Sequence, residues 1–170
     1  LIKQFEDIKA MMHKKWPKAK YIGYFQARTN TYADVSTLKR MYEEVLAIPD
    51  VIGLNIATRC DAISDECLNY LTELNKKTLL TIELGLQTIN YRSLKKINRG
   101  HSLGEYLDAM MQIHRFGFKT CTHVIIDLPW DDMTDVIETA KCLSAMKNTY
   151  VKLHALYVVK NTPLAKAYEN

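Results

Sequence analysis

Two kinds of hydrophobic pattern alternate along the chain. In some segments apolar residues recur every three or four positions, which is typical of an amphipathic helix. Between these segments lie short runs that are typical of buried strands, namely Tyr21–Gln26, Val51–Thr58, Leu79–Gln87, Thr120–Leu128 and Val151–Val159. The runs begin about 30 residues apart, which is the length of one strand–helix unit. The pattern predicts an α/β fold with five parallel strands and a helix after each.

Residues that begin and end helices lie where this pattern needs them. Ser64 and Ser102 are suited to cap helix N-termini, and Glu105 completes a capping box with Ser102. Gly117 is placed to end the helix before the fourth run, and Pro163 is placed to start a last short helix. No domain boundary interrupts residues 1–170, so we interpret them as a single domain. An open doubly wound sheet and five units of a (β/α) barrel both fit this pattern.

The third run carries polar residues where a strand of a parallel sheet is usually apolar. By the two-residue period of a strand, Glu83, Gly85 and Gln87 share one face, and the apolar residues between them share the other. The fourth and fifth runs show the same alternation, through the pairs His123–Asp127 and Lys152–His154. Burying such groups without partners costs several kcal/mol, so a polar face needs a reason. A barrel interior that opens onto a polar ligand supplies one.

Polar side chains also stand where the strands end, at Gln26, Arg59, Gln87 and Asp127. Ligands of strand–helix folds bind at the carboxyl ends of the parallel strands. The polar face therefore predicts a binding site at that end of the sheet. The ordinary alternative is that these residues are exposed edge positions, or core pairs that satisfy one another.

Composition and charge narrow the classes of function. The chain has 170 residues and a formal net charge of +4, which is too mild to indicate a nucleic-acid-binding protein by itself. The longest apolar runs are strand-sized, which argues against a membrane span. Four cysteines are too few for a disulfide scaffold, so we expect a reducing, cytoplasmic location. Because the chain begins at Leu1 rather than at a methionine, we interpret it as a piece of a longer protein.

Several common catalytic motifs are missing from the sequence. It contains no glycine-rich nucleotide loop after the first strand and no Gly-x-Ser-x-Gly elbow. Cys121 and His123 share a strand face and could meet Cys60 or His101 at a metal ion. Cysteines in strands are more often small core residues, and we expect no metal site in this chain.

Gln87 at a strand end and Arg99, 12 residues later, are the stronger candidates for binding a ligand. The fork of an arginine above a barrel suits a carboxylate. Their surroundings, Glu83-Leu-Gly-Leu-Gln-Thr88 and Leu94-Lys-Lys-Ile-Asn-Arg-Gly-His101, resemble a stretch of the radical S-adenosylmethionine (SAM) enzymes. The branch is that of the coproporphyrinogen dehydrogenases and the Elongator catalytic subunit, in which the first pattern reads Ser-x-Gly-x-Gln-Ser.

Three further segments extend the resemblance over nearly the whole chain. Ile126-Asp-Leu-Pro129 resembles the Gly-Leu-Pro turn of that branch. Tyr24-Phe-Gln-Ala-Arg-Thr-Asn-Thr31, together with Thr58-Arg-Cys-Asp61, resembles the YhcC-type proteins within it. The resemblance implies a partial TIM-like barrel with outer helices, whose five strands here are strands two to six of six.

The resemblance also implies roles for individual residues toward SAM as the cofactor. Arg99 would pair with the methionyl carboxylate, and Gln87 would bond a ribose hydroxyl. The segment from Gln26 to Thr29 would form the turn that meets the methionyl amino group. Arg59 lies near the position where relatives use a glutamate.

The same resemblance implies roles for two residues on the inner strand face. His123 falls where relatives place an aspartate that reaches the ribose. Glu83 replaces a serine on the inward face, where it would contact SAM or the substrate.

The cysteines depart from the family signature, which is Cys-x-x-x-Cys-x-x-Cys after the first strand. Those three thiolates hold a [4Fe–4S] cluster. No two cysteines of this chain are three or four residues apart. We therefore expect a fragment that lacks the first strand and the cluster loop and is inactive alone, while the full-length parent carries the cluster.

Two functions of different classes follow from the sequence. In the first, the parent is an iron–sulfur oxidoreductase that cleaves SAM reductively and abstracts hydrogen from an unknown substrate, either RNA or a small molecule. In the second, the chain is a non-redox α/β domain that binds a small anionic ligand at the strand ends. Loss of the first strand would leave Tyr21–Gln26 at an open sheet edge, which predicts dimerisation through that edge.

Overall fold

The computed structural model of the chain describes residues 2–168 as seven helices and five strands. The helices are α1 (Ile2–Lys15), α2 (Val35–Leu46), α3 (Asp65–Asn75), α4 (Tyr91–Lys96), α5 (Leu103–Arg115), α6 (Met133–Ser144) and α7 (Pro163–Tyr168). The strands are β1 (Tyr21–Phe25), β2 (Val51–Thr58), β3 (Leu79–Gln87), β4 (Lys119–Ile126) and β5 (Thr149–Ala155).

The five strands are all parallel and lie side by side in the order β1-β2-β3-β4-β5. In a flat sheet four inter-strand spacings would put β1 and β5 about 19 Å apart. Here Lys152 on β5 donates a hydrogen bond from Nζ to the hydroxyl of Tyr24 on β1, over 3.2 Å. The sheet is therefore curled into a half-barrel. This confirms the predicted partial barrel and excludes the open doubly wound sheet.

The hydrophobic core lies on the outer face of the half-barrel, between the sheet and the helices. Ile82, Leu84 and Leu86 of β3 point to this side and have no exposed surface. Tyr106 of α5 is equally buried, and its hydroxyl meets the Thr122 hydroxyl of β4 at 2.5 Å. The alternation along β3 thus sends its apolar residues into the core and its polar residues into the barrel interior.

The predicted helix ends are confirmed. The Ser64 side chain accepts a hydrogen bond from the backbone of α3, and Ser102 forms a reciprocal capping box with Glu105 at the start of α5. Gly117 follows α5 with φ +79°, a left-handed conformation that favours glycine. Pro163 is the first residue of α7.

Three of the predicted strand ends need correction. Strand β1 ends at Phe25 rather than Gln26, because Asn30 turns back and donates from Nδ2 to the Phe25 carbonyl, at 2.9 Å. Strand β4 ends at Ile126 rather than Leu128, since Asp127 has φ +67° and breaks the extended backbone. Strand β5 ends at Ala155 rather than Val159. Ala155 pairs with Ile126, the last residue of β4.

The membrane and edge predictions have different outcomes. Among the helices of residues 2–168, none is long and apolar enough to cross a bilayer. β1 and β5 are the edges of the described sheet. Dimerisation through the β1 edge stays a prediction.

Close packing of β2 against β3 yields a stability prediction. A Cβ atom on Gly53 would collide with the Leu79 carbonyl oxygen and lie 2.7 Å from the Leu79 Cβ. We expect Gly53→Ala to lower the free energy of unfolding by about 1–3 kcal/mol, as overpacking does. Urea unfolding monitored by circular dichroism measures this change.

Gly104 on the exposed side of α5 offers the matched control. A Cβ there would meet only the Ser102 hydroxyl, at 3.7 Å. Gly104→Ala should raise stability by up to about 1 kcal/mol, because alanine is the better helix former. Equal effects of the two changes would contradict this account of the β2–β3 contact.

Candidate functional site

A cavity of ≈ 360 Å³ opens at the carboxyl ends of β1, β2 and β3. Eleven residues line it: Gln26, Arg28, Thr29, Ala57, Thr58, Arg59, Glu83, Gly85, Gln87, Arg99 and His123. All seven site residues expected from the sequence are among them. The structure thus brings together side chains from four strand ends and from the loop after α4. The roles expected for them stay predictions.

Asp127, the remaining polar strand end, does not belong to this group. It lines a separate and larger cavity of ≈ 640 Å³ together with Trp130 and Tyr157. The positive φ of Asp127 ends the alternation of β4 and accounts for this departure from the sequence pattern. The larger of these two cavities is therefore not the one that the expected site residues line.

The Gly85 carbonyl holds the loop after α4 against the cavity. It accepts hydrogen bonds from Arg99 Nε (3.0 Å), Arg99 Nη2 (2.6 Å) and His101 Nε2 (3.0 Å). A Cβ on residue 85 would lie 2.7 Å from both Arg99 Nη2 and Gln87 Nε2. Glycine at this position is thus what allows the two side chains to approach each other. Arg99 is oriented by the backbone of β3.

The backbone is strained at two positions of the cavity wall. Gln87 has φ +75° and Arg28 has φ +66°, and both are non-glycine residues in the left-handed region. Each such residue costs about 1–3 kcal/mol and persists only where its surroundings impose it. The ladder between β3 and β4 shifts register between Gly85 and Gln87. The shift and the positive φ re-aim the Gln87 amide at the end of the strand.

Arg59 reaches the cavity as half of an ion pair. Its Nε and Nη2 atoms donate to the two carboxylate oxygens of Asp61, at 2.8 and 2.5 Å. Both side chains are about two-fifths exposed, so the pair contributes little to stability. Asp61 neutralises Arg59, whereas Arg99 has no carboxylate partner among the described residues.

The floor of the cavity is the carboxylate of Glu83, whose side chain is only 1% exposed. Oε1 accepts a hydrogen bond from Asn55 Nδ2 at 2.9 Å. Oε2 accepts from the Tyr24 hydroxyl (2.9 Å), His123 Nε2 (2.6 Å) and Lys152 Nζ (2.8 Å). The donors come from β1, β2, β4 and β5. Each of the four other strands thus contributes a side chain to this one carboxylate of β3.

Electrostatics keeps Glu83 ionised. Burial by itself raises the pKa of Glu83, but hydrogen bonds from His123, Lys152 and Tyr24 outweigh burial and lower the pKa from 4.5 to about 2. Burial opposes the charge of Lys152 as well, yet the bonds to Glu83 and Tyr24 raise the pKa of its ammonium overall. The pair is therefore a carboxylate with an ammonium at neutral pH.

A second imidazole extends the network along β5. His154 Nε2 lies 2.9 Å from His123 Nδ1, and the two rings are stacked with centroids 4.9 Å apart. Burial is the largest cause that lowers the pKa of His154, and the charge of Lys152 lowers it further. His154 is therefore neutral at physiological pH, at the end of the chain Glu83–His123–His154.

Potential metal ligands also meet on this floor. Ligand atoms of Glu83, Cys121 and His123 lie within 4.8 Å of one another. The ammonium of Lys152 sits 2.8 Å from the same carboxylate and would repel a cation. Burial and the Glu83 charge raise the pKa of Cys121, which keeps its thiol protonated. Within residues 2–168, no three cysteines form a group that could hold a cluster.

Four residues of the network were not among the site residues expected from the sequence: Tyr24, Asn55, Lys152 and His154. The strand alternation does place Lys152 and His154 on the inner face, and Asn55 interrupts an otherwise apolar run. These were signals that could have found them. Tyr24 gives none, because an aromatic residue in a strand is ordinary.

Comparisons with known proteins agree with this architecture. The profile of the Radical SAM superfamily matches residues 2–143. The uncharacterized protein YtqA of Bacillus subtilis is 45% identical over 169 residues, which are 99% of this chain and 52% of that protein. Protein YhcC of Escherichia coli is 34% identical over 88% of this chain and 49% of its own length. The chain thus spans about half the length of the curated relatives it matches.

A solved structure shows the same fold at low sequence identity. The archaeal Methanocaldococcus infernus Elp3 with an N-terminal deletion superposes with a TM-score of 0.75 and 18% identity. The match covers 95% of this chain and 43% of the Elp3 chain.

The Glu83 network predicts how stability depends on pH. Because the pKa of Glu83 is lower in the folded state, its stabilising contribution is complete above about pH 4.5 and is lost as the pH falls toward about 2. Near neutral pH, Glu83→Gln should lower the free energy of unfolding by about 3 kcal/mol, since it breaks a buried charge pair. The gap between wild type and variant should then narrow across that acidic range. Urea unfolding at a series of pH values measures both effects.

Glu138→Gln is the control, because Glu138 pairs with Lys141 on the exposed side of α6. This variant should stay within about 0.5 kcal/mol of wild type. A Glu83→Gln variant as stable as Glu138→Gln near neutral pH would show that the network does not hold the sheet.

Proposed function

The chain belongs to the radical SAM superfamily, and from that premise we propose that it is the SAM-binding part of a longer enzyme. The parent cleaves SAM reductively and abstracts hydrogen from a substrate, either RNA or a small molecule. The observation that carries the proposal is the cavity at the strand ends, which Gln26, Thr29, Gln87 and Arg99 line together. Its volume of ≈ 360 Å³ falls within the range of about 300–1,000 Å³ that small-molecule sites occupy.

The donors around the cavity fit the polar groups of SAM. Arg99 uses two of its five N–H donors on the Gly85 carbonyl, which leaves the rest of the fork for the methionyl carboxylate. Burial lowers the pKa of Arg99, but a guanidinium remains charged in proteins. Gln87 offers its amide to the ribose hydroxyls, and Gly85 lets the ligand approach the backbone.

The polar floor below the cavity serves to position the substrate. Glu83 and His123 belong to both the cavity wall and the inner network. Their hydrogen bonds fix the two side chains, so they present a rigid surface to the ligand that binds next to SAM. A rigid polar floor orients the substrate without the cost of ordering loose side chains.

The [4Fe–4S] cluster of this superfamily supplies the electron that cleaves SAM. The cysteines described here do not fit it. Cys67 is fully buried among the core residues of α3, and Cys121 shares the barrel floor with Glu83 and His123. We propose that the cluster ligands come from another part of the parent protein, since the chain spans about half the length of its relatives.

Replacing Arg99 tests the assignment of the SAM carboxylate. In the parent protein with its cluster, Arg99→Lys should weaken SAM binding by at least about 1.5 kcal/mol, which is about tenfold in Kd. Lysine cannot bond the Gly85 carbonyl and a carboxylate with one rigid fork. Isothermal titration calorimetry with SAM measures the change.

Arg92→Lys is the matched control, because Arg92 is exposed on α4 and does not line the cavity. Its SAM affinity should equal that of wild type, and the iron content of both variants should be unchanged. Wild-type affinity in Arg99→Lys would assign Arg99 a structural role and remove it from the cofactor site.

A cluster-loading experiment tests where the iron ligands lie. This chain alone, incubated anaerobically with iron and sulfide and then desalted, should retain no stoichiometric iron and no iron–sulfur absorbance. The reason is that its thiols do not converge. Stoichiometric iron that is lost in Cys121→Ala would show that the chain ligates the cluster itself.

A further inference from the structure

We propose that His154 is a general base of the barrel interior, and that His123 and Glu83 position it. It accepts a proton from a hydroxyl or amino group of the substrate that binds beside SAM. The inference rests on the proposed function, because it assigns a residue to the substrate side of the same site. It is carried by the chain of hydrogen bonds that runs from Glu83 through both imidazoles.

The protonation of each ring nitrogen follows from the ionised carboxylate. Glu83 can only accept, so His123 Nε2, at 2.6 Å, must carry a proton. We assign His123 the neutral form, in which Nδ1 is an acceptor. In that form His154 Nε2, at 2.9 Å, donates to it. The remaining nitrogen of a neutral His154 is therefore Nδ1, with a free lone pair.

That lone pair is left without a partner in the part of the chain that the structure describes. Within residues 2–168 His154 makes one hydrogen bond, through Nε2, and its ring is half-buried on the inner face of β5. Glu83 already accepts four hydrogen bonds, from Tyr24, Asn55, His123 and Lys152. His154 is thus not needed to satisfy the carboxylate. The position of His154 therefore places a basic nitrogen in the barrel interior.

Charged and titratable groups face the imidazole pair from four strands: Tyr24 on β1, Glu83 on β3, Cys121 on β4 and Lys152 on β5. Burial and then Lys152 lower the pKa of His154, whereas Glu83 raises it. The phenol of Tyr24 and the thiol of Cys121 have raised pKa values, chiefly through burial, and stay neutral. The base form of His154 is therefore the resting form, and Glu83 supplies the negative charge that stabilises its conjugate acid.

The proton transfer balances within the relay. The O–H or N–H bond of the substrate breaks and leaves its electron pair on the oxygen or nitrogen. A new N–H bond forms at Nδ1 of His154. The resulting imidazolium can pass its Nε2 proton to His123 Nδ1, which brings the positive charge next to the Glu83 carboxylate. This step removes a proton from the substrate. It therefore differs from the hydrogen abstraction proposed for the parent, which removes a hydrogen atom.

Nitrogen-15 NMR of the histidine rings in this chain tests the relay without a substrate. Near neutral pH, His123 and His154 should both be protonated at Nε2 and unprotonated at Nδ1. In Glu83→Gln the pKa of His154 should fall by about half a pH unit or more, because a stabilising negative charge is lost. In Glu138→Gln it should not change. Two results would overturn the inference. One is a neutral His154 that is protonated at Nδ1, and the other is a pKa of His154 that is the same in wild type and in Glu83→Gln.

A second variant decides the question if Glu83→Gln does not fold. His123→Phe keeps a ring of similar size against His154 but removes the acceptor at Nδ1. The neutral form of His154 should then populate both tautomers instead of one. A single Nε2-protonated tautomer that persists in His123→Phe would show that His123 does not set it.

Titration with SAM separates this inference from the proposed function. Arg99→Lys should weaken SAM binding in the parent and leave the tautomer and the pKa of His154 unchanged. If the parent does not bind SAM, the proposed function fails while the NMR result stands. If SAM binds as expected and His154 is not coupled to Glu83, only the relay is wrong.

Discussion

A carboxylate buried at the centre of the sheet is the constraint on which the rest of the structure depends. Glu83 is on the middle strand, and its oxygens accept from side chains of β1, β2, β4 and β5. A buried charge without partners costs several kcal/mol, so the sheet must bring these donors to it. The contact between Lys152 and Tyr24 joins the two edge strands only because the sheet curls. The curvature of the sheet is thus what brings partners to the charge of Glu83.

The same residue joins two parts of the interior. Toward the strand ends lies the cavity with Arg99 and Gln87. Beside Glu83 lie Lys152 and the His123–His154 pair, of which His123 also lines the cavity. Because Glu83 belongs to both parts, a change there alters stability and site geometry together. Arg99 and His154 each belong to one part only, so changes at these two residues separate the two proposed roles.

The sequence was sufficient for much of this arrangement, for a physical reason. Alternation along a strand assigns a face to each residue, so Glu83, Gln87 and His123 could be placed inside the barrel from pattern alone. Alternation does not report distances across a curled sheet, and the Lys152–Tyr24 contact over 128 positions had no local signal. Asp127 was misplaced with the other strand ends, because its positive φ interrupts the period.

The inner polar residues make sense only as a set. The sequence resemblance implies a serine in the related branch where Glu83 stands here, and a serine hydroxyl cannot accept the four hydrogen bonds made to Glu83. Glu83 without Lys152 and His123 would be an unpaired buried charge, and those two without Glu83 would lose their shared acceptor. Each of these three residues can therefore be buried at low cost only when the other two are present. It follows that a serine at this position would need different partners on β4 and β5, and would give the cavity a different floor.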